Sequence, residues 1–138
     1  MTDFLLRGGC HCGAVRYTVH APARELCHCH CSICRRIHGA AFASFALVPP
    51  PAFVIEQGSD RLTRYDSSPG CQRYFCARCG AHLYSDVDSL PDVRFYTIGT
   101  LDGGAHPGQP PGTERHICVA SRIPWWHITD DLPQSPET

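Results

Sequence analysis

The chain contains no lysine and no asparagine, and only one methionine among its 138 residues. Lysine and asparagine share adenine-rich codons, so their joint absence reads first as the mark of a GC-rich genome. Selection for the bidentate anion binding that arginine provides is the rival reading. Excess charge of either sign is missing too: 12 arginines against 13 Asp+Glu leave a formal net charge of −1. That excludes bulk attraction to nucleic acid or to an acidic lipid surface. No long apolar run occurs. The longest uncharged stretch, residues 39–55, is cut by Pro49, Pro50 and Pro51, whereas a spanning helix needs about 20 apolar residues. Residues 1–7 lack the basic region and apolar core of a signal peptide, and neither end carries a lipidation motif. These absences predict no membrane association and a cytoplasmic location, where cysteines seldom form structural disulfides.

What is abundant is cysteine and histidine, with ten and nine residues. Apolar residues make up 43 % and charged residues 18 %, which predicts one folded domain over residues 1–138 rather than disorder. Twelve glycines and twelve prolines divide the chain into short pieces, favouring strands and turns. The expectation is an all-β domain of short antiparallel strands. Residues 14–19 alternate apolar and polar as a strand does. Strands are also expected at 41–48, 52–55, 61–65, 72–75, 93–101 and 117–120, with a short helical turn at 32–37. Four glycines and three prolines make 102–112 a loop, and the polar residues 133–138 read as a loose tail.

The cysteines fall into three motifs. Cys10-His11-Cys12-Gly13 brings two sulfurs near one point and follows them with a glycine that can turn the backbone. Cys76-Ala77-Arg78-Cys79-Gly80 is a C-x-x-C-G knuckle, which presents two thiolates on one side of a loop. Together Cys10, Cys12, Cys76 and Cys79 make a closed four-thiolate structural zinc site, which adds folding energy to a small core. A redox role for the C-x-x-C is disfavoured, because no βαβ pattern surrounds it. The third motif, Cys29-His30-Cys31-Ser32-Ile33-Cys34, supplies three thiolates from six residues. Three ligands with an open fourth position suit a catalytic zinc; a second closed site, completed by a nearby Cys27, His28, His30 or His38, suits the spacing equally well.

Other residues carry weaker signals. Cys27, Cys71 and Cys118 read as buried packing thiols, although alternation puts Cys27 on the face of Cys29 and Cys31. His11, His28 and His30 are expected to point away from the metals they flank. His20, His82 and His106 read as surface or loop residues, and His38, His116 and His127 as weak pocket candidates. Arg35 and Arg36 follow the third motif and can bind carboxylates bidentately and lower nearby thiol pKa values, or stand as solvated loop charges. Trp125 and Trp126 read as core anchors.

In order along the chain, these motifs resemble the glutathione-dependent formaldehyde-activating enzyme family, which includes centromere protein V. The likeness runs through Gly8-Gly9-Cys10-His11-Cys12-Gly13, Cys29-His30-Cys31-Ser32-Ile33-Cys34-Arg35-Arg36 and Phe75-Cys76-Ala77-Arg78-Cys79-Gly80. It continues through Gly99-Thr100-Leu101-Asp102, His116-Ile117, Ser121-Arg122-Ile123-Pro124-Trp125-Trp126 and Asp130-Asp131-Leu132-Pro133. The resemblance implies a β-tent fold and two zinc ions per chain. A structural ion would sit on Cys10, Cys12, Cys76 and Cys79, and a labile catalytic ion on Cys29, Cys31 and Cys34. It further implies a carbon–sulfur lyase that joins formaldehyde to a small thiol substrate, glutathione, giving S-hydroxymethylglutathione. The competing expectation is a non-catalytic, zinc-stabilised binding module, for which fold and metal sites transfer but activity does not.

Overall fold

The computed structural model describes residues 3–138. Ten strands and one short helix build it, and no helix among the described residues is long and apolar enough to cross a membrane. Three strands form a small antiparallel sheet: β1 (Leu6–Gly9), β2 (Arg16–Val19) and β5 (Phe53–Gln57), in the order β1-β2-β5. Gly8 must be glycine there, because a Cβ would run into the Tyr17 ring and the Thr100 carbonyl.

The large sheet contains seven strands. They are β3 (Leu26–Cys29), β4 (Ala43–Val48), β6 (Leu62–Ser68), β7 (Cys71–Cys76), β8 (His82–Val87), β9 (Arg94–Thr97) and β10 (Glu114–Ile117). Their order is β10-β3-β4-β9-β8-β7-β6. All neighbours are antiparallel except β10 and β3, which run parallel with Arg115 opposite Cys27 and Ile117 opposite Cys29. The proline turn 49–51 separates two strands as the sequence suggests, but β4 and β5 do not pair: the turn carries the chain from one sheet to the other.

Because side chains alternate across a strand, the large sheet has two distinct faces. Leu26, Ala46, Val48, Tyr84 and Tyr96 face the small sheet and pack with Val15, Tyr17, Val19 and Phe53 in the main core. Cys27, Cys29, Phe45, Leu47 and Ile117 form a second apolar cluster on the opposite face. Helix α1 (Ser32–His38) follows β3 and closes on Gly39, whose left-handed backbone (φ 58°) donates its N–H to the Arg35 carbonyl.

Three expectations need correction. Residues 133–138 do not hang free: Cys118, Val119 and Ala120 donate to the carbonyls of Glu137, Ser135 and Pro136, and Ser135 donates to His116. A polar segment can be held by main-chain bonds that its side chains do not announce. The strand expected at 117–120 lies earlier, at β10, and 119–121 is a 3-10 turn. Trp125 is 71 % exposed and Trp126 also lies at the surface, so neither anchors the core.

Candidate functional site

Cys10 and Cys12 lie between β1 and β2, and Cys76 and Cys79 lie at the turn from β7 to β8. The two loops belong to different sheets, yet they bring their four sulfurs within 4.8 Å of one another. The loops turn at Gly13 and Gly80, both at φ 80° with open space where a side chain would project. Cys10 Sγ stands 3.6 Å from Cys12 Sγ, and Cys12 Sγ 3.8 Å from Cys76 Sγ. A tetrahedral ion with metal–sulfur bonds of about 2.3 Å requires sulfur–sulfur edges of about 3.8 Å. A disulfide would require about 2.05 Å. The donor set therefore fits a four-coordinate metal ion. The Val15 N–H donates to Cys10 Sγ at 3.2 Å and the Arg78 N–H to Cys76 Sγ at 3.4 Å, as suits sulfur carrying negative charge.

Cys29 ends β3, Cys31 is the N-cap of α1, and Cys34 sits in its first turn. Their sulfurs lie within 4.8 Å of one another and could hold a second ion through three donors. Hydrogen bonds from Cys29 and Cys34 hold the Cys31 thiol well below its ordinary range, helped by the Cys34 N–H and by Arg73. Cys29 is pushed up, first by its hydrogen bonds to Cys31 and Cys34 and then by burial. The trio thus shares protons in the absence of metal and favours one thiolate at the helix N-cap.

Arg73 is a candidate site residue that sequence reasoning missed. It is only 6 % exposed, donates to Cys34 Sγ at 3.4 Å and to Ser67 Oγ at 3.0 Å, and carries its charge into a cluster of thiols. The signal was an arginine inside Cys71-Gln72-Arg73-Tyr74-Phe75, a strand whose alternation puts it on the side of Cys71. Alternation does not say which side is enclosed. β7 lies four strands from β3, which in a flat sheet would be about 19 Å. The contact with Cys34 requires the sheet to curl and α1 to lean over it.

The curl encloses an open cavity of about 780 Å³. Its floor is the odd-numbered face of the large sheet, in continuous cross-strand rows: Arg115–Cys27–Phe45 and Leu47–Phe95–Ser85–Arg73, with Val87 opposite Cys71. Cys29, Cys31 and Cys34 line one part of it, and Cys27, Cys71 and Cys118 share its wall. Cys27 is buried as expected, but Cys71 and Cys118 are only half-buried. Cys118 is the one non-glycine residue with positive φ (57°) among those described, and burial pushes its thiol up.

Arg35 and Arg36 leave this cavity. They line a separate pocket of about 460 Å³ with Trp125 and Trp126. Behind the trio, His30 is fully buried and its Nε2 meets His116 Nδ1 at 2.8 Å, while His116 Nε2 meets Asp130 at 3.0 Å. Burial, then the neighbouring His116 and His28, pushes His30 down to about 4. His28 bonds Ser44 and Glu114 and likewise points away from the sulfurs. These contacts lock the loop between β3 and α1 that presents Cys29 and Cys31. His38 and His82 face each other at 5.1 Å, half-buried, so His82 is not a plain surface residue.

Residues 5–120 match the family model described as glutathione-dependent formaldehyde-activating enzyme. A protein of Halomonas elongata, provisionally named as such an enzyme, is 36 % identical over 132 residues, covering 90 % of this chain and 81 % of its own. A similarly named protein of Emericella nidulans is 28 % identical over 72 % of this chain, and here the chain spans 53 % of the relative's length. A crystal structure of a Rhodobacter sphaeroides protein superposes with a TM-score of 0.59 at 30 % identity, covering 71 % of this chain and 89 % of that one.

Proposed function

From the premise that the chain belongs to the glutathione-dependent formaldehyde-activating enzyme family, we propose that it is a zinc-dependent carbon–sulfur lyase acting on small thiol adducts. The reference reaction adds the sulfur of glutathione to the carbon of formaldehyde; the thiol gives up its proton and the aldehyde oxygen gains one, giving S-hydroxymethylglutathione. The observation that carries this reading is the opening of the three-cysteine cluster onto a cavity, where the four-cysteine cluster is already complete. Zinc held by Cys29, Cys31 and Cys34 would supply a Lewis acid for the substrate sulfur.

The chain's own residues divide the remaining work. Three thiolates on a dication leave one negative charge, which repels a fourth anionic sulfur; the buried Arg73 guanidinium offsets it. Hydrogen bonds from Cys29 and Cys34, helped by the Cys34 N–H, favour the thiolate form of Cys31. Arg24 and Arg115 stand at the cavity edge and can take carboxylates of the thiol, the role that sequence reading gave to Arg35 and Arg36. Cys10, Cys12, Cys76 and Cys79 would hold a structural zinc that staples the two sheets. A cytoplasmic site of action, with no nucleic-acid or membrane partner, belongs to this proposal.

Zinc analysis combined with calorimetric titration of glutathione tests it. The expected result is two zinc ions per chain, one removable by mild chelation without unfolding, and glutathione binding that disappears with that ion. One tightly held ion and no thiol binding would overturn it in favour of a non-catalytic binding module.

A further inference from the structure

The cavity has two chemically different sides, and this bears on the second substrate. On the β10–β3 side stand Arg24, Arg115 and Glu25. Arg115 bonds Glu25 at 3.2 Å, while Arg24 has no ion-pair partner among the described residues. Two guanidiniums and one carboxylate complement a glutathione molecule, which carries two carboxylates and one ammonium. On the β4–β9–β8 side the floor turns apolar: Phe45, Leu47, Val87, Leu90, Val93 and Phe95 line it. Along β4 this apolar strip runs from the row below Ala43, which faces Cys29, to the row of Leu47. Two to four residues of strand correspond to about 7–13 Å.

A thiohemiacetal has two arms on its sulfur, one from the thiol and one from the aldehyde. Formaldehyde contributes a single carbon and would leave the apolar strip uncovered. Leu90, at the open edge of that strip, is 48 % exposed. We propose that this site takes glutathione adducts of apolar aldehydes of several carbons, the tripeptide lying on the charged side and the alkyl chain along Phe45, Leu47, Val93 and Phe95. The inference rests on the thiol-adduct reading above and names the aldehyde. The bond made or broken is the same carbon–sulfur bond, with the same proton balance, since an aldehyde R–CHO replaces H–CHO.

Stable thioethers serve as probes, because a thiohemiacetal sulfur is also a thioether. Binding of S-methyl-, S-butyl- and S-hexylglutathione to the zinc-loaded protein is measured by calorimetry, beside glutathione itself. Burial of each methylene is expected to tighten binding about fourfold, until the strip is filled. Leu90→Asp, at the exposed edge where folding is not at stake, is expected to remove the gain of S-hexyl- over S-butylglutathione. With glutathione binding intact, a flat series in the unsubstituted protein overturns this inference alone. Absence of binding by glutathione and by every probe overturns the thiol-adduct reading with it. A gain of S-hexyl- over S-butylglutathione that survives in Leu90→Asp, and also in Val93→Asp, overturns the assignment of the alkyl chain to this strip.

Discussion

The two cysteine clusters share a ligand type and differ in almost everything around it. The four-cysteine cluster joins loops from two sheets and is complete in donors. The three-cysteine cluster lies within six residues at one strand–helix junction, borders a cavity, and is contacted by a buried arginine. The difference teaches that donor number and access, rather than donor identity, would separate a metal staple from a reactive metal site. The first cluster spans a sequence separation of more than sixty residues, so its metal would restrict the unfolded chain strongly. The second closes a short loop and adds little of that kind.

The contrast can be broken most forcefully at the staple. Cys76→Ser is expected to cost an amount comparable to the whole stability of a small domain, about 5–15 kcal/mol. The loss would be read as missing native circular dichroism and a zinc content at background. A folded variant that keeps two ions would equate the two clusters. Cys31→Ser should act oppositely: zinc falls from two ions to one per chain, the fold persists, and melting shifts by no more than about 2 kcal/mol of stability. Unfolding of this variant would show that the second cluster is also a staple.

Arg73→Met sharpens the comparison through pH. The guanidinium favours the thiolate forms of Cys31 and Cys34. Without it those sulfurs hold protons more tightly, so protons compete with metal at higher pH. The pH of half-release from the three-cysteine cluster is expected to rise by about one unit, followed with a chromogenic zinc chelator. Release from the four-cysteine cluster should not move.

The smallest effect concerns Asp102, which pairs with Arg16 beside the staple. The Arg16 hydrogen bond holds its carboxyl below the ordinary value. Such a group contributes stability above its unfolded-state pKa and loses it as pH falls through the depressed one. Asp102→Asn should therefore lower stability at pH 7 by less than about 1 kcal/mol and have no effect below both values. Thermal melts at neutral and acid pH check both parts. A larger loss would mean that surface ions, not sulfur, join this corner of the fold.

Local pattern carried much of this architecture. β2, β4, β5, β6, β7 and α1 fall where alternation, proline and glycine put them. β3 and β8 were obscured because Leu26–Cys29 and His82–Val87 mix polar and apolar residues without a clean period. The long strand expected at 93–101 is only β9, since the chain turns into a 3-10 turn at Ile98. The thiolate donors were legible from spacing, because C-x-C and C-x-x-C are local geometries. Arg73 was not, because its meaning comes from a contact between β7 and α1.

Sequence by itself determined that this chain carries three local thiol motifs, at Cys10/Cys12, Cys29/Cys31/Cys34 and Cys76/Cys79, and that its elements are short strands. Spacing of a few residues fixes which sulfurs can converge within each motif, whereas only the fold brings Cys10 and Cys12 to Cys76 and Cys79 across more than sixty residues. Tertiary structure alone decided which face of the large sheet became a cavity and which became core. It placed Arg73 beside Cys34, and it moved Arg35 and Arg36 to another pocket. The physical reason is that alternation gives every strand two faces, and only the curl of the packed sheet tells which of them is enclosed around the sulfurs.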